Sequence, residues 1–260
     1  MSTFITVANQ KGGVVKTLTA VSLASLLARQ DANVLLIDCD PQGHSSTTLG
    51  LDPAPGLFNA FVAEAPISNC LQCTDRPGLT LLPSNQKTKL ASSTVYMQIA
   101  DGSLTRQRLI ETLHAISQGY DYVIFDTPPS GIFQELAIEI ADTIVIPTPC
   151  DYLGIDGVRN TLATAEKLNR QGAQTIVLPT LYNAGTNESR YNLGLLNEAY
   201  PGSVAEPIPA SAAVREAVAH GQTIWEYESK SETLGRVREA YEKLAKWITE
   251  TPEQTLFGEE

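Results

Sequence analysis

The stretch NQKGGVVKT, residues 9–17, gathers two lysines, two adjacent glycines and a threonine into one short run. It follows an apolar β-rich segment and opens a helix-forming one, the context in which a Gly-rich string becomes a phosphate cradle. Backbone N–H groups from Gly12, Gly13, Val14, Val15, Lys16 and Thr17 would point into one concavity at a helix N-terminus, where the helix dipole also favours anions. Lys16 can neutralise β and γ phosphates and the Thr17 hydroxyl can face a magnesium ion; Leu18 completes the candidate nucleotide-binding run.

Two later stretches supply carboxylates. LLIDCDPQG places Asp38 and Asp40 two residues apart at the end of an apolar run, and YDYVIFDTPPS sets Asp126 at the end of another. Strands that end at the same sheet edge deliver their last residues into one crevice. One carboxylate of the first pair can hold a metal-bound water and the other orient an attacking water, while Asp126 suits the outer shell of Mg²⁺. Singly, each has a plain structural reading: Gly12 and Gly13 as a turn, Asp38 and Asp40 as caps, Asp126 as a loop residue. In order, at three successive strand ends, they converge on a nucleotide site.

The elements that must position these residues read as an alternation of short strands and helices. Strands are expected at Phe4–Ala8, Val34–Asp38, Leu79–Pro83, Tyr122–Asp126, Thr143–Pro147 and Thr175–Pro179, and helices at Lys16–Arg29, Leu104–Gln118, Gly157–Arg170, Ser211–His220 and Leu234–Thr249. The pattern predicts an α/β fold, a mainly parallel twisted sheet with helices on both faces. In the last helix Leu234, Val237, Tyr241, Leu244 and Ile248 fall at helical spacing and should form a buried stripe. Asp52–Thr94, rich in Pro, Ser and Asn around one strand, reads as a surface excursion.

Composition sets outer limits. With 260 residues, 43% of them hydrophobic, the chain can bury a sizeable core, and its length suits one domain over residues 1–260. A formal net charge of −11 argues against uniform coating by nucleic acid or anionic lipid, so any such role needs a local basic patch. No basic-then-apolar leader opens the sequence and no run of about 18 apolar residues occurs, which predicts a cytoplasmic protein. Of the four cysteines only Cys70 and Cys73 are suggestively spaced, and without a second Cys or His pair they read as incidental rather than as a zinc site.

KGGVVKT, with Lys11, resembles the deviant Walker A box of the ParA/MinD family of P-loop ATPases, whose pattern is KGGxGK[ST]. DCDPQG is similar to that family's Walker A′ box and VIFDTPPS to its Walker B, and ADTIVIPTPCDYLGIDGV, VLPTLYNAGTNES and PIPASAAVREAVAHGQTI resemble ParA segments in the same order. The resemblance implies Mg-ATP-driven homodimerisation with Lys11 reaching the partner's phosphates, slow hydrolysis that uses Lys11, Lys16 and Asp40, Mg²⁺ held through Thr17, Asp38 and Asp126, and adenine contacts near Asn183 and from Pro207 to Pro209. It further implies non-specific DNA binding on the nucleoid, a ParB-like or cargo-adaptor partner that stimulates hydrolysis, and a cargo that is a plasmid, a chromosome or a protein body such as a carboxysome. The family's plasmid members often carry an N-terminal helix-turn-helix region, whereas this sequence starts at its first strand, which suits a small ParA or a cargo-positioning relative.

One position departs from the pattern. Val15 stands where the family has glycine, at a place that needs close backbone approach to phosphate and a positive φ. A β-branched residue resists such φ values by roughly 1–3 kcal/mol. With the rest of the site intact, the substitution reads more readily as one that disables the loop than as a natural variant, and weak ATP binding or poor hydrolysis is expected. This keeps a nucleotide-gated adaptor without useful turnover as an alternative. A MinD-like membrane-positioning ATPase needs a basic amphipathic C-terminal helix, and the chain ends TPEQTLFGEE; a nitrogenase-type iron protein needs paired cysteines in Gly-rich loops, where Cys39, Cys70, Cys73 and Cys150 do not lie. Candidate DNA-phosphate contacts are Arg215 and Arg190, with Lys230, Arg236 and Arg238 behind them; Arg215 leads because VREA resembles ParA.

Overall fold

β-branched and leucine-rich runs of five to seven residues form the inner strands, each buried nearly throughout because helices cover both faces. The computed structural model describes residues 2–52, 55–151, 154–169 and 172–250. In chain order the elements are β1 (Thr3–Val7), α1 (Lys16–Arg29), β2 (Val34–Asp38), α2 (His44–Thr48), α3 (Leu57–Phe61), β3 (Gln72–Cys73), β4 (Leu79–Leu82), α4 (Lys87–Ala100), α5 (Arg106–Ile116), β5 (Tyr122–Asp126), α6 (Ile132–Glu139), β6 (Thr143–Pro149), α7 (Gly154–Leu168), β7 (Gln174–Thr180), α8 (Asn187–Ala199), α9 (Ala212–Ala219) and α10 (Glu232–Glu250).

The strands make one seven-stranded sheet in the order β3-β4-β2-β5-β1-β6-β7. Every pairing is parallel except that of the edge strand β3 with β4. Register decides the site: Val7 pairs with Asp126 and Asp126 with Asp38, so the ends of β1, β5 and β2 stand side by side. Alternate strand residues feed opposite faces. Ile5, Val7, Leu36 and Ile124 meet α1 and α10, whereas Phe4, Leu35, Ile37 and Phe125 meet the α3–α6 side. The stripe expected in the last helix lies buried on the first of these faces, where the Tyr241 and Thr19 hydroxyls bond at 3.1 Å. Fully burying each such side chain contributes about 1.5–3 kcal/mol.

The segment expected to be a surface excursion is better built than its composition suggested. It holds α3, β3, β4 and the first half of α4, and Leu57, Cys70, Leu82 and Ala91 are buried against the sheet. Prolines and serines there mark turns between short elements rather than open loop. Helices α2, α6 and α8 also went unforeseen. Their apolar residues are too few, or too mixed with polar ones, to make a clear period over five to thirteen residues. α5 begins two residues late, at Arg106, because the Thr105 hydroxyl accepts from Arg108 N at 3.2 Å and caps it. α7 begins three residues early, at Gly154, and its expected end at Arg170 lies outside the described residues, as does the tail TPEQTLFGEE. Among the described residues no helix is long and apolar enough to cross a membrane.

Candidate phosphate and metal site

The glycine-rich loop joins β1 to α1 and is anchored before it turns. Asn9, fully buried, donates through Nδ2 to Pro147 O at 2.8 Å and accepts Lys11 N on Oδ1 at 2.9 Å, fixing the loop to β6. α7 presses against this anchor at Gly157, where a Cβ would stand 2.7 Å from Asn9 Oδ1. The loop then passes through two left-handed residues, Gly13 at φ 74° and Val15 at φ 64°, ψ 34°. Val15 is the residue from which α1 starts: its carbonyl accepts Thr19 N at 3.0 Å, while no side chain caps the helix. The left-handed φ expected at this position is therefore present, and a half-buried β-branched residue carries it.

Val14 is buried beneath the loop, Gly12 and Gly13 are exposed, and Thr17 and Leu18 are half-buried. Lys16, 8% exposed, turns its ammonium back into the loop and donates to the carbonyls of Asn9 and Lys11, each at 3.1 Å. Burial lowers its pKa, against the opposing pull of Asp126 and Asp40. Lys11 points elsewhere, to Asp151, with both carboxylate oxygens 3.1 Å from Nζ.

The register pair Asp38 and Asp126 lies beneath the loop, 0% and 1% exposed. Asp38 accepts Asp40 N on Oδ1 at 2.9 Å and Ser45 N on Oδ2 at 3.1 Å. Asp126 accepts the Ser45 hydroxyl on Oδ2 at 3.0 Å, and its Oδ1 is buried without a partner. Burial first, then the facing Asp126, pushes the Asp38 carboxyl well above the usual range. Burial likewise pushes Asp126 up to about 6, countered by the Thr17 and Ser45 hydroxyls. Two adjacent buried carboxyls, one with an unused oxygen, with a lysine and a threonine on the facing loop, form a donor set that suits a hard divalent cation. Among the described residues no group of three or more His, Cys, Asp or Glu side chains surrounds a point. Asp40 sits one step out, half-buried, accepting Gln42 N at 3.0 Å.

Asn183 lies beyond β7, where Oδ1 accepts Gly185 N at 3.0 Å. Tyr182 N donates to Ile208 O and Ala210 N to Tyr182 O, so Asn183 is held beside the Pro207–Pro209 stretch. Arg190 on α8 turns onto the start of its own helix, donating to Ala184 O and Asn187 Oδ1. Arg238 donates to Ile224 O at 2.6 Å and Tyr227 O at 2.9 Å, tying α10 to the preceding segment. Arg215, Lys230 and Arg236 are exposed. Three residues that matter to this geometry were not foreseen: Asn9, Ser45 and Asp151. Asn9 could have been noticed as a polar residue ending an apolar strand and Asp151 as part of the family-like segment ADTIVIPTPCDYLGIDGV; Ser45 carries no periodic or motif signal, because register and tertiary approach alone bring it in.

A loop that turns through left-handed residues into a helix, over paired strand-end carboxylates in a parallel sheet, defines a P-loop nucleotide-binding protein. A family model described as an AAA domain matches residues 2–178. The chain is 32% identical over 258 residues to the sporulation initiation inhibitor protein Soj of Bacillus subtilis, covering 95% of this chain and 98% of that one. It is 31% identical over 256 residues to the chromosome partitioning protein ParA of Caulobacter vibrioides, covering 94% and 92%. A solved structure of cobyrinic acid a,c-diamide synthase from Mycobacterium smegmatis, with bound ATP analogue and magnesium, superposes with a TM-score of 0.78 at 29% identity over 99% of this chain and 100% of that one. The chain belongs to the ParA/Soj family of P-loop ATPases.

Proposed function

We propose that this protein binds Mg-ATP at the loop over Asp38 and Asp126, dimerises on it, binds DNA without sequence preference, and positions a cargo through a partner that stimulates hydrolysis. The observation that supports this best is Oδ1 of buried Asp126, left without a hydrogen-bond partner beneath the Lys16–Thr17 helix start, where the Thr17 hydroxyl approaches the same carboxylate. Lys16 and the loop N–H groups would hold the phosphates, Thr17 and the two carboxylates the metal, and Mg²⁺ would supply charge neutralisation between phosphate oxygens. Asp40, half-buried at the edge, is the group available to orient water, and Lys11 the cation available to a second subunit.

Val15 favours a second reading within the same site, an adaptor that binds nucleotide and turns it over poorly. Its left-handed backbone has to be kept while the loop closes on phosphate, and a β-branched residue resists that conformation. Titration with a fluorescent ATP analogue, together with phosphate release, separates the two in the chain with Val15 and in Val15→Gly. Tighter binding and faster release in the glycine variant support the cycling ATPase limited by Val15. Binding without turnover in both supports the adaptor, and no Mg-dependent binding in either overturns the site. For DNA, Arg215→Glu should weaken binding to all sequences alike and flatten its salt dependence; unchanged affinity and slope remove Arg215 from the interface.

A further inference from the structure

We infer that Ser45 is a positioning residue of the metal site: its backbone N–H and its hydroxyl fasten the start of α2 to both carboxylates and decide which oxygen of Asp126 is offered to Mg²⁺. The inference rests on the Mg-ATP reading above and adds a residue to it. Ser45 is 0% exposed and stands one residue inside a helix of only five. Its N–H donates to Asp38 Oδ2 at 3.1 Å and its hydroxyl to Asp126 Oδ2 at 3.0 Å, the two carboxylates belonging to neighbouring strands. With Asp40 N on Asp38 Oδ1 at 2.9 Å, three of the four carboxylate oxygens are engaged inside the protein, and Asp126 Oδ1 is left.

That pattern is a directing one. A carboxylate with both oxygens free can rotate and offer either; one whose Oδ2 is held by a buried hydroxyl presents Oδ1 alone. Groups that hydrogen-bond a metal ligand in this way typically change metal affinity about 10- to 100-fold when removed. The same two bonds make α2 respond to the site, since whatever draws Asp126 toward a cation pulls on Ser45 and on the turn that precedes it.

The test is equilibrium binding of a non-hydrolysable fluorescent ATP analogue, in EDTA and in millimolar Mg²⁺, to the full chain and to Ser45→Ala, each with Val15 and with Val15→Gly. The expected result is that Ser45→Ala keeps its EDTA affinity within about twofold and loses about tenfold of the enhancement given by Mg²⁺. Asp126→Asn, as the reference, loses the enhancement altogether. An unchanged Mg²⁺ enhancement in Ser45→Ala overturns the inference, and so does an equal loss in EDTA and Mg²⁺, which would mark Ser45 as part of the scaffold only. Absence of nucleotide binding in every variant, Val15→Gly included, overturns the Mg-ATP reading and this inference with it.

Discussion

Val15 and Gly43 stand at two loop–helix junctions on the same sheet edge, the first at the start of α1 and the second at the start of α2. Their backbones are nearly superimposable in torsion, φ 64°, ψ 34° at Val15 and φ 66°, ψ 29° at Gly43, and neither helix has a side-chain cap. At Gly43 a Cβ would lie 2.7 Å from Ser84 O, so the position needs both glycine's freedom and its lack of volume. At Val15 a branched side chain is accommodated half-buried within the protein, and the demand there, before any phosphate is bound, is for backbone freedom. Close approach and positive φ are thus separable reasons for a glycine, and a substitution that meets one still violates the other.

The sharpest way to break that distinction is Gly43→Ala. Left-handed strain of about 1–3 kcal/mol and a backbone contact that cannot yield cheaply should together lower unfolding stability by about 3 kcal/mol, read from urea midpoints at constant slope. A loss near 1 kcal/mol would mean that the Ser84 strand end gives way and that the two junctions are alike after all.

The junctions also differ in charge. α2 hangs on Asp38 and Asp126, whereas α1 carries Lys16 into its loop. Asp126 has its ordinary value of 3.8 pushed up to about 6, so the folded state holds this proton more tightly than the unfolded chain. Its contribution to stability is present below pH 4 and is lost as the pH rises from about 4 through about 6; Asp38 acts in the same direction. In EDTA the metal-free protein should lose at least about 2 kcal/mol across that window, and Asp126→Asn should reduce the slope while Asp38 keeps part of it. A slope unchanged in Asp126→Asn would place the titration elsewhere.

How much of this could be read in advance divides along the same line. Strand ends that carry Asp38 and Asp126 were legible because an apolar run ending in an acid is a local pattern, and the sheet register confirms that they meet. The α10 stripe was legible for a similar reason, a long helix with a clear period. α2 was not, although it holds Ser45: five residues, HSSTT, contain no apolar period, and the helix is held by tertiary bonds from Ser45 at its start and from Arg76 to Leu49 O just past its end. β4 was legible as the strand expected at Leu79–Pro83, whereas β3 and α3 escaped notice because each is too short for a period to outweigh the surrounding turn residues. Arg190 and Arg238, proposed for DNA from charge alone, are engaged with backbone carbonyls, a use of arginine that charge counting cannot register.

Val15→Gly approaches the comparison from the other side. Relief of left-handed strain, about 1–3 kcal/mol, is partly offset by the extra freedom glycine gives the unfolded chain, about 0.4–1 kcal/mol. A net gain of about 1 kcal/mol in stability is expected, and Val15→Ala should fall between the two because it removes the β-branch and keeps the Cβ. A destabilised glycine variant would mean that the valine's packing outweighs its strain, and the poor nucleotide use expected of the chain with Val15 would then need another cause.

The smallest effect is expected where the same loop begins. Lys11 is bound to Asp151 within the chain, in a pair whose side chains are 29% and 48% exposed, so the pair should contribute less than about 1 kcal/mol. Asp151→Asn should therefore shift the urea midpoint by no more than about 0.5 kcal/mol equivalent. Its visible consequence should lie elsewhere, because a lysine that is to meet phosphate on a second subunit must first leave Asp151. Sedimentation of Asp151→Asn with Mg-ATP, in the Val15→Gly background where the loop closes, should give dimers at a several-fold lower nucleotide concentration. If dimerisation is unchanged while stability falls by more than 1 kcal/mol, the Lys11–Asp151 pair is a structural brace for the loop, and the contrast between its two ends then lies in packing rather than in readiness to move.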